Sequence, residues 1–172
     1  MSRLYKLHIK HIDYSILVFV FIHIFFATLG YLSSTSTSGQ FIEIENSILT
    51  YFINNFLYSL ILVSGFVSFG LITLFMLSIN SYILGEAIKG ALLLGNDITY
   101  ILFNLMHGLF EIPALYFFYK IGIAPLEISL KHFFSKRYKF SFYEEARNIG
   151  KNFASGTALL FAAAVLEYFI AK

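Results

Sequence analysis

The sequence predicts an all-α membrane protein with about five transmembrane helices in one bundle. Three observations predict it. The 172-residue chain is 58% hydrophobic, carries 21 Phe, and is only 13% charged. Soluble domains average about 25% charged residues, so this chain cannot cover its apolar surface with polar groups. Apolar runs of near-spanning length recur along the whole chain. Lys and Arg gather near the N-terminus and again between Lys131 and Lys151, and such asymmetry is how membrane chains encode orientation.

Composition also excludes function classes. The absence of Cys excludes disulfides, thiolate zinc sites and cysteine nucleophiles. A net charge of +2 is too small to point to nucleic acid. No phosphate loop, nucleophile elbow, paired acidic motif or Ser/Lys dyad is evident. The expectation is a non-enzymatic protein without a cofactor, forming a single membrane domain over 1–172.

The elements follow in order. Arg3, Lys6 and Lys10 precede a first span over about Asp13–Leu32. That run is long for a signal peptide, and Ser33-Ser34-Thr35-Ser36 offers no Ala-x-Ala cleavage site, so a retained span is expected. Segment 33–55 has no Lys or Arg but carries Glu43 and Glu45. Within it, residues 40–55 align Phe41, Ile44, Ile48, Tyr51 and Phe52 on one helical stripe, which predicts an amphipathic helix on the outer surface. Asn54-Asn55 then reads as the cap of a second span over about 56–77.

Within that span Ser64, Gly65, Ser68 and Gly70 form a face of small residues, as close-packed membrane helices use. A short third span is drawn over 81–95, with Asn80 capping it and Gly85 and Gly90 as a second small face. A fourth covers about 98–120 and a fifth about 153–171. Ala154, Ser155, Ala158, Ala162 and Ala163 give the fifth a third small face, which suits a compact bundle and also a homodimer. Between the last two spans, segment 123–152 is basic and amphipathic, with Tyr138, Phe140, Phe142 and Tyr143 among its charges. It reads either as a helix on anionic membrane lipid or as a partner-docking surface through Lys136, Arg137 and Lys139.

The positive-inside rule puts the N-terminus and segment 123–152 in the cytoplasm and segment 33–55 outside. Parity then requires 81–95 to cross. The alternative there is a re-entrant helix pair.

Polar groups inside such spans are expensive and usually functional. His107 and Glu111 stand one helical turn apart, beside Gly108 and Pro113, within the apolar stretch Ile98–Ile123. The pair reads as a structural hydrogen-bonded anchor that fixes helix packing, a proton or ion site with a transport or coupling role, or part of a metal or catalytic site. A metal needs more ligands, for which His23 and Glu86 are the candidates. Glu86 and Lys89, three residues apart, are expected to pair on one face. Together with Asn80 they complete an expected buried polar centre.

The order Asn54-Asn55, Gly65, Gly70, Asn80, Gly85, His107-Gly108-x-x-Glu111-x-Pro113-Ala114, Gly122 resembles the stage II sporulation protein M family. The likeness covers roughly residues 50–125, and its most specific element is the His-Gly-x-x-Glu-x-Pro-Ala motif. The resemblance implies a five-span membrane protein without known catalytic activity. One branch of the family anchors peptidoglycan hydrolases in spore engulfment. Another accompanies an ATPase in circular bacteriocin maturation, export or self-protection, and a short chain suits that branch better. The expected function is therefore a permease-like subunit that works with a cytoplasmic ATPase. The alternatives are a scaffold for peptidoglycan-remodelling proteins, docked on segment 33–55, and a metal-dependent intramembrane enzyme.

Overall fold

The computed structural model describes residues 14–35, 47–134 and 140–170. The cations Arg3, Lys6 and Lys10, the stripe residues Phe41 and Ile44, and the docking candidates Lys136, Arg137 and Lys139 lie outside the described residues. Among the described residues there are helices and no strand. They are α1 (Tyr14–Ser33), α2 (Ile48–Ser64), α3 (Leu71–Leu93), α4 (Ile98–Asn104), α5 (Gly108–Gly122), α6 (Ala124–Phe134) and α7 (Phe142–Ile170). Three of these, α1, α3 and α7, are long and apolar enough to cross a membrane. The α4–α5 pair makes a fourth candidate if its 44° bend lies within one span, and α2 is a shorter apolar helix of 17 residues. Large side chains such as Val67 (85% exposed) and Leu109 (70%) face outward, where hydrocarbon rather than water suits them. The chain is a membrane protein.

The helices divide the middle of the chain differently from its hydropathy. A single span over 56–77 is predicted, but the chain turns at 65–70. Gly65, Phe66, Val67 and Ser68 close short i to i−3 bonds, and Gly70 N donates back to Gly65 O at 2.8 Å. Phe69 (φ 53°) and Gly70 (φ 88°) take left-handed backbone, the geometry that ends a helix and reverses it. The predicted short span 81–95 is therefore most of one longer helix, α3. Asn80 lies inside α3 rather than capping anything. Asn54 and Asn55 lie inside α2, whose N-cap is Ser47, accepting from Thr50 N at 3.2 Å. The described half of the expected surface helix, from Ile48 onward, is the start of α2. At the far end α7 begins at Phe142, eleven residues before the predicted span (153 − 142).

Contacts fix the helix directions. Tyr58 Oη donates to Met76 O at 2.6 Å and Thr73 Oγ1 donates to Leu62 O at 2.7 Å, so α2 and α3 form an antiparallel hairpin. Helix α3 runs parallel to α1, with Leu74 in one slot with Ser15 and Val18, and Gly85 against the backbone of Ala27 and Tyr31. Helix α5 runs antiparallel to α1: the Ser15 and Tyr116 hydroxyls are 3.3 Å apart, while His23 shares a cavity with Glu111. Helix α7 is antiparallel to α5, with Phe153 against Phe118 near one end and Glu167 near His107 at the other.

Glycine makes the close approach of α1 and α3 possible. A Cβ at Gly85 would overlap the Ala27 carbonyl, and one at Gly30 the Tyr82 carbonyl, so α1 and α3 touch backbone to backbone. The core lies where α2, α5 and α7 meet. Leu62, Leu115, Phe118 and Leu160 are buried there, and Phe56, Phe118 and Phe153 form edge-to-face pairs with centroids 5.7 to 6.4 Å apart.

Candidate functional site

The break between α4 and α5 builds the site. Met106, Gly108, Leu109 and Phe110 donate to carbonyls three residues back, at 2.9 to 3.1 Å. This tight 3₁₀-like stretch bends the axis by 44°, and the α-pattern resumes with Glu111 N to His107 O at 3.1 Å. The break precedes Pro113, which sits inside α5 and is carried without interrupting it. Gly108 opens α5 with open space around it, its nearest neighbour being Ile112 Cδ1 at 4.0 Å from an added Cβ. It marks the break, but no helix packs against it.

His107 Nε2 lies 3.5 Å from Glu111 Oε2, long for a hydrogen bond. Both side chains border a cavity of about 280 Å³ shared with His23 of α1 and Asn80, Leu84 and Ala87 of α3. Glu167 reaches toward this centre from α7, within electrostatic range of both His107 and Glu111. Several buried atoms have no hydrogen-bonding partner in the chain: both ring nitrogens of His23, His107 Nδ1 and Glu167 Oε2. Native interiors seldom leave such groups unpaired unless they serve a function.

The other expected members do not converge here. Glu86 and Lys89 form no ion pair with each other among the described residues. Lys89 Nζ instead lies 4.8 Å above the Tyr31 ring, a cation–π contact that ties α3 to α1. Among the described residues no three His, Asp or Glu side chains converge as metal ligands. His107 and Glu111 thus lack the further ligands from His23 or Glu86 that a metal would need.

A second polar cluster lies at the opposite end of α5. Lys120 Nζ is 2.8 and 3.1 Å from the two carboxylate oxygens of Glu127 and donates to Ser15 Oγ at 3.0 Å. Lys131 adds a longer contact to Glu127 at 3.4 Å. This network fastens α6 to the end of α5 and to the start of α1. It borders an apolar slot of about 610 Å³ lined by Val18, Leu74, Leu126 and Leu130. Nearby, Gly65 and Gly122 both pack on the Thr73 hydroxyl, and Gly70 lies against Ile123. Gly65, Gly70 and Gly122 are thus joint residues between α2, α3 and α5.

The model of the stage II sporulation protein M family matches residues 15–172. The chain belongs to this family. No curated protein and no solved structure matches it. The family match extends across α1 and α7, beyond the 50–125 region where the quoted motifs lie, so the helices that supply His23 and Glu167 are part of the family's domain.

Sequence reasoning missed Glu167 and the Lys120–Glu127 pair. Glu167 stands four residues from the end of the last apolar run and reads as an interface residue (171 − 167). Lys120 and Glu127 are seven residues apart across a helix junction, a spacing that two helical turns alone would not have to bring together.

Proposed function

We propose that this chain is a non-enzymatic, permease-like membrane subunit that works with a cytoplasmic ATPase in peptide maturation, export or self-protection, the cargo being of the circular bacteriocin type. In this reading the cell membrane is crossed five times, by α1, α2, α3, the bent α4–α5 pair and α7. The alternation of helix directions supports it, as does the length of α2, at the lower limit of about 17 residues for a span. The N-terminus and the α6 region then face the cytoplasm, where the positive-inside rule wants their cations.

One observation carries the docking role. Helix α6 is fastened to α5 through Lys120 and Glu127, and in the sequence it is followed by the cationic run of Lys136, Arg137 and Lys139. A partner bound there would be mechanically connected to the bundle. Purification from native membranes in mild detergent tests the reading. A co-eluting cytoplasmic ATPase, lost when Lys136, Arg137 and Lys139 are all changed to Glu, is the expected result. Full biological activity in that triple variant, or an extracytoplasmic peptidoglycan hydrolase as the stoichiometric partner, overturns it in favour of a scaffold.

A further inference from the structure

The polar cavity contains more titratable chemistry than a helix anchor requires, and none of it belongs to the docking segment. His23 of α1 and His107 and Glu111 of the α4–α5 break line it, and Glu167 of α7 lies beyond its lining but within electrostatic range of His107 and Glu111. Helix α2 adds the Tyr58 phenol, within electrostatic range of Glu111, and α3 faces the cavity with the neutral amide of Asn80. No Lys or Arg lines it among the described residues.

With both carboxylates ionised and both imidazoles neutral, the group would carry two negative charges in an apolar bundle. Uncompensated buried charge is strongly disfavoured. Among the described residues no three His, Asp or Glu side chains converge to hold a metal that would supply the compensation. Protons can supply it. One converts the His107–Glu111 contact into an ion pair, and a second neutralises the Glu167 carboxyl. The buried unpartnered atoms on His23, His107 and Glu167 are the lone pairs and donors that a protonated, hydrated cluster would use. A cavity of about 280 Å³ has room for several waters to join them.

We propose that His23, His107, Glu111 and Glu167 form one intramembrane proton-binding site that is neutral when it holds two exchangeable protons.

Infrared difference spectroscopy of the full-length protein in lipid nanodiscs, stepped between about pH 5 and pH 8 where imidazole chemistry operates, tests this. The expected wild-type spectrum contains the C=O stretch of a protonated carboxyl at neutral pH, shifted in D₂O. Glu111→Gln combined with Glu167→Gln removes that band, His23→Phe moves its pH midpoint, and Glu144→Gln on the exposed start of α7 changes nothing. A wild-type protein with no such band at neutral pH overturns the proposal without any variant. So does a band that persists in the double Gln variant, or one whose midpoint His23→Phe leaves in place.

Discussion

The two ends of α5 carry contrasting polar clusters. At one end Lys120 and Glu127 meet at 2.8 Å, with Ser15 and Lys131 filling the remaining contacts. At the other end His107 and Glu111 meet at 3.5 Å, beside buried nitrogens and a carboxylate oxygen that no protein group satisfies. Both clusters sit on the same helix and both place an acid against a base. The difference is completeness. A satisfied network holds helices in place, and its worth is structural. An unsatisfied one is expensive to keep, and it persists where something else is meant to complete it. The same contrast appears in the glycines. Gly122, beside Lys120, is pressed against the Thr73 hydroxyl and the Leu62 carbonyl, whereas Gly108, beside His107, has open space.

The largest expected effect breaks the satisfied end. Lys120→Met leaves Glu127 partly buried without its main cation, and the loss should be about 3 kcal/mol. Thermal unfolding in detergent, followed by the fluorescence of a thiol-reactive dye on an introduced cysteine, would measure it. Adding Glu127→Met to that variant should restore most of the stability, since an apolar pair suits the site better than a lone carboxylate. If the single variant unfolds at the wild-type temperature, the network is not structural and the comparison fails.

A smaller effect is expected from Gly122→Ala. The new Cβ would overlap the backbone of α2 and the hydroxyl of α3, forcing the three-helix joint open at a cost of about 1–3 kcal/mol. Retention of the wild-type unfolding midpoint would show that the joint yields freely. The smallest change is Gly108→Ala. With no neighbour to strike, it should leave stability unchanged or raise it by up to about 0.5 kcal/mol, because Ala loses less backbone freedom than Gly. Marked destabilisation there would mean that the break at 105–107 needs glycine itself, and the two ends would then be less different than they look.

Much of this architecture was legible in the chain. The runs around Phe19 and Leu160 are apolar enough to announce α1 and α7. The hairpin between α2 and α3 was not legible. Its turn is Gly65-Phe66-Val67-Ser68-Phe69-Gly70, so hydropathy runs through it without a dip. Only the backbone of Phe69 and Gly70 reveals the reversal. At the candidate site, the spacing of His107 and Glu111 was visible because it is local. Glu167 was not, because its approach depends on α7 packing antiparallel along α5. Glu86 and Lys89 show the opposite error, a permitted spacing that the fold does not use as an ion pair, with the lysine placed over the Tyr31 ring instead.

Helix α7 has a consequence of its own. Its 29 residues, at about 1.5 Å each, make a rod of about 43 Å, longer than the roughly 30 Å of hydrocarbon it has to cross. The excess lies at its exposed Phe142 end, while its packing on the core begins at Ile149 and continues through Phe153 and Gly156 against the Phe118 ring. The far part of α7 is held firmly, since Leu160, Ala163 and Ala164 are buried and the Phe161 ring meets Phe52 of α2. Tyr143 and Arg147 thus ride on the same continuous helix that carries Glu167 into the bundle.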